Sequence, residues 1–390
     1  MNLLMLANIT LPPSTGDAVH FLELARHFSE KGLKVTLILP KPLTAFKINL
    51  KIQHHFYRRF NFPVLGSFLN LLAMTIAVLK ICASKKFDAI YLRQATFFFI
   101  INFVSKILKL PVFFEVNGLY SYEEKMRGGG AFKVWFYRFL DDLAIRKAKG
   151  VICVSGGLYK YALNIKRSPK NILSSTNAVD LELFNKKFDY LTIREKYKFG
   201  ENAILIFIGN LTPWYDFNIL LEAMKIIRGK RSDVKLLIVG RGVLEKEIKN
   251  EIIKKGLDNV TMIGAVPHSK IPGLLSVSEI GLLPLKKTPH NLFVDIPVKV
   301  LEYFAAGKPV ISYNVGGISK VVINDYTGFL IPNNSPHILA EKILYLLNNP
   351  ERKKILGLNA RKLCAEKYSW NNVAKQIVDF INLIIQNNFK

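Results

Sequence analysis

Short apolar segments alternate with longer segments of mixed polarity along nearly the whole chain. Helix-length stretches such as AVHFLELARHFSEKG separate the apolar segments in the first half, and the second half repeats the arrangement. This alternation is typical of parallel sheets built from β-α-β units, so it predicts an α/β fold with two Rossmann-like domains in tandem. The predicted strands are NLLMLAN, KVTLILP, AIYLR, PVFFEVN and GVICVS, then ILIFIGN, VKLLIVG, VTMIG, IGLLPL, KPVISY and GFLIP.

The polar, strand-poor segment NKKFDYLTIREKYKFGENA separates the two series and is predicted to be a linker. We therefore expect a first domain at residues 1–185, a second at residues 186–365 and a C-terminal helix within residues 366–390. That helix contains the amphipathic segment NNVAKQIVDFINLIIQ and is expected to return toward the first domain. Ligands of open parallel sheets bind at the carboxyl ends of the strands, which predicts a site in a cleft between the two domains.

The composition fits two hydrophobic cores and excludes several other classes of protein. Half of the 390 residues are hydrophobic. The three cysteines lie far apart without the spacing of metal ligands, which argues against a disulfide framework and against zinc. The first segment, MNLLMLANI, is predicted to be a strand rather than a signal peptide. No apolar run approaches the roughly 20 residues that a membrane-spanning helix needs.

Positive charge is concentrated in the first domain. The net charge is +26, and the stretch from Lys31 to Phe87 holds ten Lys or Arg residues but no Asp or Glu. Within it lie KINLKIQHHFYRRF, which includes Lys47, Lys51, Arg58 and Arg59, and the apolar GSFLNLLAMTIAVLK. Basic residues beside apolar, aromatic-rich segments favour an anionic membrane surface as a partner of this domain. A lysine-rich soluble protein is the plain alternative. Nucleic acid is disfavoured because no helix-turn-helix, zinc finger or RNA-binding aromatic motif is present.

Two places in the first domain combine polar side chains with a strand end. The turn after the first strand contains Gly16, and a glycine at a helix N-terminus lets a phosphate or sugar approach backbone N–H groups. The neighbouring Asp17 is alternatively a simple helix cap. The fourth strand ends in FFEVNG, which makes Glu115 and Asn117 candidates for acceptor-side catalytic groups. A buried, hydrogen-bonded carboxylate is the alternative for Glu115.

The second domain carries the most informative pattern, PVKVLEYFAAGKPVI. A helix from about Pro297 to Ala305 would place Lys299 and Glu302 on one face, three residues apart. Lys299 suits a phosphate, and Glu302 suits two ribose hydroxyl groups. A local Lys–Glu pair is the alternative, although the flanking residues are unusually apolar. In VGRG, Arg241 follows a predicted strand and is either a phosphate ligand or a solvated turn residue.

With these motifs the chain resembles the retaining glycosyltransferases of family 4, which have the GT-B fold of two facing Rossmann-like domains. The resemblance covers nearly the whole chain, with the motifs in the family's order and spacing. It is based on PPSTGDAVHFLELARHFSEKGLKV, CVSGGLYKYA, NAVDLELF, GNLTPWYDFNILLEAM, VGRG, NVTMIGAVPHSKIPGLLSVSEIGLLPL, PVKVLEYFAAGKPVI, GGISKVVINDYTGFLIP and EKYSWNNVAKQI.

The resemblance implies a donor nucleotide held mainly by the second domain, without a metal or other cofactor. Glu302 matches the family's ribose-binding glutamate, Gly16 matches the glycine loop that faces the donor phosphates, and Val266 lies in the turn whose backbone reads the base. The full set of expected donor-binding residues is Gly16, Asn210, Arg241, Val266, Lys299, Leu301, Glu302 and Gly316, and the expected catalytic residues are Asn117, Glu115 and Lys299.

Four positions depart from the family pattern. Val294 stands where the first glutamate of the family pair is expected, and Asn117 stands where a histidine is frequent. Asn210 and Tyr215 replace the usual arginine and lysine. Lys299 or Arg241 would then have to supply the positive charge, as in a subset of the family that reads P-x-K-x-x-E-Y.

The resemblance therefore predicts transfer of a hexose-type residue from a nucleotide diphosphate sugar, with retention, to a lipid-linked or surface-glycan acceptor. The expected location is cytoplasmic and peripheral, at the inner face of the cell membrane. A nucleotide-sugar epimerase of the same fold and a non-catalytic membrane-associated partner subunit are the alternatives. Nucleic acid is not expected as a partner.

Overall fold

The structure is a computed structural model that describes residues 1–11, 16–44, 52–60, 65–93, 96, 98–288, 291, 296–331 and 335–386. The chain forms two compact units. Unit 1 consists of Met1–Thr176 together with Trp370–Lys390, and unit 2 consists of Asn177–Ser369. The chain therefore passes between the units twice, once at residues 176–177 and once at residues 369–370.

Unit 1 is built on a seven-stranded sheet in which every pair of neighbouring strands is parallel. The order is β3-β2-β1-β4-β5-β6-β7. Leu4 in the central strand pairs with Thr36 on one side and Ile90 on the other, and all three are completely buried, as expected for a sheet covered on both faces. The strands are β1 (Asn2–Leu6), β2 (Lys34–Pro40), β3 (Gln53–Tyr57), β4 (Ala89–Leu92), β5 (Val112–Val116), β6 (Gly150–Cys153) and β7 (Ile172–Ser174).

The helices of unit 1 cover both faces of this sheet. Right-handed crossovers place the helix after β1 on one face and the helices that lead to β4, β5, β6 and β7 on the other. In agreement, α2 packs beside α3, α3 beside α5, and α5 beside α6. These helices are α1 (Gly16–Glu30), α2 (Leu65–Ser84), α3 (Phe98–Ile107), α4 (Tyr120–Met126), α5 (Ala131–Lys147) and α6 (Gly156–Lys166).

Unit 2 is built on a second parallel sheet, of six strands, in the order β10-β9-β8-β11-β12-β13. Residues 204–207 of the central strand are completely buried. The strands are β8 (Ala203–Ile208), β9 (Val234–Val239), β10 (Val260–Gly264), β11 (Ile280–Leu283), β12 (Val310–Tyr313) and β13 (Gly328–Ile331).

The helices of unit 2 include one that the sequence analysis assigned to a linker. That segment forms α8, where the Asp189 side chain accepts a hydrogen bond from the Thr192 backbone and the buried Arg194 donates to the Gly200 and Asn202 carbonyls. The helices are α7 (Leu181–Asn185), α8 (Tyr190–Lys196), α9 (Phe217–Lys230), α10 (Glu245–Lys254), α11 (Ile271–Ser276), α12 (Val298–Ala305), α13 (Pro336–Asn348) and α14 (Pro350–Lys367).

The last helix, α15 (Trp370–Gln386), belongs to unit 1 and packs against α1. Its first residue, Trp370, is 2% exposed, and its ring meets that of His20 edge-on at 4.9 Å between centroids. The apolar stripe of this helix supplies further core residues to unit 1: Val373, Ala374, Ile377, Ile381 and Ile384.

The predicted α/β class with two parallel-sheet domains is confirmed. All eleven predicted strands are present, and two short strands at the edges of the first sheet, β3 and β7, were not predicted. Among the described helices, none combines the length and the apolar content needed to cross a membrane.

The packing of α15 gives a test of its structural role. Replacing Trp370 with Ala should lower the free energy of unfolding of unit 1 by about 3–5 kcal/mol, because a large buried ring is lost and leaves a cavity. Leu383→Ala is the matched control on the same helix, since Leu383 is 54% exposed, and its effect should stay below about 0.5 kcal/mol. Chemical denaturation measures both. Equal effects of the two substitutions would contradict the packing described.

Candidate functional site

The carboxyl ends of β8, β9 and β10 form one edge of the second sheet, where three glycine-containing turns are tied together. The Gly240 backbone N–H donates to the Gly264 carbonyl at 2.8 Å, and the Leu211 N–H donates to the Arg241 carbonyl at 2.9 Å. Gly240 has a positive φ of 149°, and a Cβ at this position would overlap with the Gly209 carbonyl. These turns therefore need glycine, and they leave backbone close to any ligand at this edge.

Helix α12 begins at the same edge and is fixed to β8 by a tyrosine. Pro297 precedes its first turn, as the sequence predicted. The Ile208 backbone N–H donates to the Tyr303 hydroxyl oxygen at 2.9 Å, and the Tyr303 ring lies on Gly281, where a Cβ would overlap with it. Because Tyr303 is completely buried, it fixes the position of the helix and of the charged residues on it.

The Lys299 ammonium lies inside the protein without a hydrogen-bond partner among the described residues. Its Nζ is 4.3 Å from the Phe207 ring centroid and 4.1 Å from the Tyr215 ring centroid, and it covers Gly209 so closely that a Cβ there would overlap with it. Burial lowers the pKa of Lys299 to about 7, although the nearby Glu302 opposes this shift. The two rings offer cation–π attraction, but a buried ammonium without a hydrogen bond is costly, and an anion would relieve that cost.

Glu302 lies one turn further along α12 and pairs with a histidine that the sequence did not indicate. The carboxylate is 6% exposed, and its Oε1 is 2.6 Å from Nε2 of His268. His268 follows β10 and the turn Gly264–Pro267 that the resemblance associates with base recognition. The structure thus brings a carboxylate and an imidazole together at this edge of the sheet, beside the buried lysine.

The other predicted donor-binding residues of unit 2 occupy different environments. Arg241 is exposed in the turn after β9. Its side chain lies close to Gly264, since a Cβ added to Gly264 would be 3.5 Å from Nε of Arg241. Asn210 is exposed after β8, and Val266 is half-buried after β10. Leu301 is completely buried, so its side chain belongs to the core and only its main chain is left for a ligand.

Gly316, also a predicted donor-binding residue, lies in the loop after β12 with a φ of 63°. β12 is the second strand from β8 in the sheet. The carboxyl end of β12 therefore lies roughly 10 Å from the carboxyl end of β8, where the Lys299 ammonium is found. Val294, one of the departures from the family pattern, falls outside the described residues.

In unit 1, Glu115 is a completely buried carboxylate with several partners. Tyr91 donates its hydroxyl proton to Oε2 at 2.5 Å, and Nε2 of His20 lies 2.6 Å from Oε1. Burial alone would raise the pKa of Glu115, but His20, Arg93 and the Tyr91 hydrogen bond together lower it to about 2. Glu115 is therefore ionised at neutral pH, which matches the alternative of a satisfied buried carboxylate better than a proton-transfer role.

Asn117 and Gly16 lie at the same edge of the first sheet. Asn117 follows β5, and its side-chain nitrogen Nδ2 is buried with no hydrogen-bond partner in the described part of the chain. Gly16 is the first residue of α1, one turn before His20. The catalytic and donor-binding roles of these residues stay predictions. No group of three His, Cys, Asp or Glu residues is placed to hold a metal ion within the described ranges.

Two family models match the chain. The model described as "Glycosyltransferase Family 4" matches residues 15–183, and the model described as "Glycosyl transferases group 1" matches residues 189–363. Together these two ranges cover nearly all of both sheets.

Curated relatives and a solved structure are similar to the chain. An uncharacterized glycosyltransferase of Methanocaldococcus jannaschii is 29% identical over 60% of this chain and 59% of its own length. A GDP-mannose-dependent phosphatidylinositol monomannoside mannosyltransferase of Mycobacterium tuberculosis is 26% identical over 48% of this chain and 50% of its own length. The chain thus spans about half the length of the curated relatives it matches.

The solved structure is Anabaena HepE in complex with UDP and glucose. It has a TM-score of 0.78 and 19% identity, and the match covers 98% of this chain and 99% of HepE. The similarity shows that both proteins have the GT-B fold.

The burial of Lys299 predicts a pH-dependent stability. Lysine in an unfolded chain has a pKa of about 10.4, so between about pH 7 and pH 10 the unfolded state binds more protons. The free energy of unfolding of unit 2 should therefore rise with pH by up to about 1.4 kcal/mol for each pH unit in this window. Lys299→Met should remove this rise, whereas Lys354→Met, at an exposed lysine, should preserve it. Denaturation at several pH values measures the difference, and parallel curves for wild type and Lys299→Met would refute the burial of the ammonium.

Proposed function

This chain belongs to glycosyltransferase family 4, and from that premise we propose that it transfers a sugar from a nucleotide diphosphate sugar to a lipid-linked or surface-glycan acceptor. The observation that supports this most directly is the Lys299 ammonium, which is buried beside Glu302 and has no hydrogen-bond partner among the described residues. A diphosphate would give this ammonium charge-assisted hydrogen bonds that the described protein groups do not provide.

Lys299 supplies the positive charge that family members usually carry on the loop after the first strand of this domain. Tyr215 stands at the expected lysine position, and Nζ of Lys299 lies 4.1 Å from its ring centroid. In this proposal the charge comes from helix α12 instead of the loop. This arrangement argues against the alternative of a subunit that has lost donor binding through the substitution at Tyr215.

Glu302 is proposed to bind the ribose of the donor. One carboxylate oxygen, Oε1, lies against Nε2 of His268, and Oε2 remains for hydroxyl donors. The imidazole would hold the carboxylate in one orientation, so the ribose contact costs less side-chain entropy when the donor binds. His268 is therefore a positioning residue in this proposal.

The chemical role proposed for this edge is stabilisation of the departing nucleoside diphosphate. As the bond between the anomeric carbon and the diphosphate oxygen breaks, negative charge grows on that oxygen, and Lys299 and the N-terminal turn of α12 are placed to oppose it. The proposal includes retention at the anomeric carbon and no metal requirement, both taken from the family resemblance. Arg241 is proposed as a second cation for the phosphates.

In unit 1, we assign Glu115 a supporting role on the acceptor side. Its low pKa keeps it ionised, so in this proposal it holds the Tyr91 hydroxyl and the His20 ring by direct contact rather than exchanging protons itself. Asn117 has amide hydrogens free for a ligand as far as the described residues show, which suits a sugar hydroxyl or an acceptor oxygen.

Nucleotide binding by the purified protein tests the donor site. A thermal-shift screen with UDP, GDP, ADP and dTDP should find one base that raises the melting temperature, since a ligand bound only to the native state stabilises it by mass action. With that base, Lys299→Met should weaken binding of the nucleoside diphosphate about ten- to a hundredfold but leave the free nucleoside unaffected. Lys354→Met, at an exposed lysine of unit 2, should change neither.

Glu302→Gln should differ from Lys299→Met in its effect on the free nucleoside. It removes a charged hydrogen-bond acceptor for the ribose, so nucleoside and nucleoside diphosphate should both bind about tenfold or more weakly. Titration calorimetry measures the affinity of each variant for the nucleoside and for the nucleoside diphosphate. If a folded Glu302→Gln protein binds both ligands with unchanged affinity, the ribose assignment is wrong. A further assay distinguishes an enzyme from a protein that only binds the nucleotide. An enzyme should release the nucleoside diphosphate from the matching nucleotide sugar when acceptor is present.

A further inference from the structure

The helices α2, α3 and α5 of unit 1 form one continuous layer whose outer side is strongly apolar. α3 packs between α2 and α5. Of the described residues, every exposed Phe and Trp apart from Phe56 lies on these three helices. We call the following residues the three-helix face: Phe68, Leu72, Ile76 and Leu79 on α2, Phe99, Phe103 and Ile107 on α3, and Phe132, Trp135, Phe136 and Phe139 on α5.

The spacing of these residues shows that they form ridges. They recur at intervals of three or four on each helix, which places them on one side. Their exposed fractions are large: 62% and 63% for Phe99 and Phe103, 77% for Phe132 and 60% for Trp135. The Trp135 ring stacks on Phe139 at 6.3 Å between centroids, so even these aromatic contacts are made at the surface. A contiguous apolar area of this kind marks an interaction site in a water-soluble unit.

The charges around the face have one sign. Helices α2 and α3 contain no Asp or Glu, and neither of the two acids of α5 is exposed. Asp141 is buried and accepts hydrogen bonds from Ser121, and Asp142 accepts one from the Tyr161 hydroxyl. The exposed bases on the three helices are Lys80, Lys106, Lys133, Arg138, Arg146 and Lys147. Of these, Lys133 pairs with Glu124 of the neighbouring helix α4 at 2.5 Å.

Further lysines lie at the ends of α3 and α5. A cavity of about 760 Å³ has Lys106, Lys109, Lys147 and Lys149 among its lining residues. The cavity is also lined by one acid, Asp88, so the four lysines leave this edge of the layer with a net positive charge. Lysines can extend along apolar surface while keeping their charge in a polar region.

We propose that the three-helix face docks unit 1 on an anionic lipid bilayer. The aromatic and aliphatic side chains would enter the boundary between headgroups and acyl chains, and the surrounding bases would contact the anionic headgroups. The proposal goes beyond sugar transfer and does not depend on it, because none of its residues belongs to the candidate donor site.

Charge argues for a bilayer over a second copy of the chain. In a two-fold symmetric dimer the same face would meet itself, and the exposed bases of the three helices would then oppose bases with no exposed acid on these helices to pair with them. A bilayer containing anionic lipid complements both features, the apolar ridges and the positive rim. It also needs no matching shape, which suits ridges on three separate helices.

This surface overlaps in part with the one predicted from the sequence. The apolar segment GSFLNLLAMTIAVLK of that prediction forms most of α2, whereas the basic segment with Lys47, Lys51, Arg58 and Arg59 is not part of the three-helix face. Lys47 and Lys51 fall outside the described residues, and Arg58 and Arg59 follow the edge strand β3. The three-helix face predicts that binding depends on the aromatic residues of α5 more than on Arg58 and Arg59.

The test uses the full-length protein and vesicles of phosphatidylcholine with or without phosphatidylglycerol. The apolar variant carries Phe132→Ser, Trp135→Ser and Phe139→Ser, all in the poorly covered first half of α5. Its matched control carries Val243→Ser, Ile253→Ser and Leu358→Ser, at residues of unit 2 that are 80%, 78% and 58% exposed. Co-sedimentation should show wild type and control bound to phosphatidylglycerol vesicles and the apolar variant bound at least about tenfold more weakly.

A charge variant separates the electrostatic contribution to vesicle binding from the apolar contribution. Neutralising Lys80, Lys106 and Arg138 to Gln should weaken binding about fivefold for each charge, and the effect should diminish at high salt. The matched control neutralises Lys246, Lys354 and Lys362 of unit 2, which are also exposed, and should bind like wild type.

Three results would overturn the proposal. One is equal vesicle binding by the apolar variant and its control. Another is loss of binding on Arg58→Gln with Arg59→Gln while the three-helix variants bind normally. The third is a dimer in analytical ultracentrifugation that the apolar variant converts to a monomer without any change in vesicle binding, because the face would then contact a second copy. Thermal unfolding followed by circular dichroism serves as the folding control for every variant, so a failure of the donor proposal leaves this test unaffected.

Discussion

The burial of one ammonium group constrains the whole carboxyl edge of the second sheet. Nζ of Lys299 lies directly over Gly209 and against the rings of Phe207 and Tyr215. The residue after β8 must therefore be a glycine, because a Cβ there would overlap with the ammonium. The following loop supplies the Tyr215 ring that covers the ammonium. The lysine can take this position only because Tyr303 fixes α12 to β8. A cation kept dry between aromatic rings is poorly compensated until an anion arrives. In the proposed donor site, the packing that makes the buried ammonium costly is therefore the packing that favours its contact with a phosphate.

Much of this arrangement could be predicted from local patterns. Buried parallel strands are nearly continuous apolar runs, which is why the eleven strands were identified, and the spacing of Lys299 and Glu302 was enough to put both on one face of α12. The strands β3 and β7, at the edges of the first sheet, were missed because their sequences, QHHFY and ILS, are polar or short. The edge strands of the second sheet, β10 and β13, were predicted because VTMIG and GFLIP are mostly apolar.

The partners of the charged residues could not be predicted, because they come from distant parts of the chain. His268 meets Glu302 across 34 residues, and Tyr91 reaches Glu115 across 24. No spacing rule links such positions. The sequence likewise left two readings open for Glu115, since a carboxylate at the end of a buried strand is either free for chemistry or paired, and only the position of His20 and Tyr91 distinguishes them. For α2, the apolar residues surround most of the helix, so the sequence could not tell which of them would be exposed.

The proposed function places the phosphate-binding cation on a helix instead of a loop, which has physical consequences. A lysine on the loop after β8 would keep its charge by contact with water and would need ordering when the donor binds. Lys299 is already ordered by α12 and by the two rings, so less conformational entropy is lost, but its charge is less secure because burial lowers its pKa to about 7. Bound phosphate would raise that pKa again, because an adjacent negative charge favours the protonated form. If the donor binds as proposed, protonation of Lys299 and donor binding are linked, and each strengthens the other within unit 2.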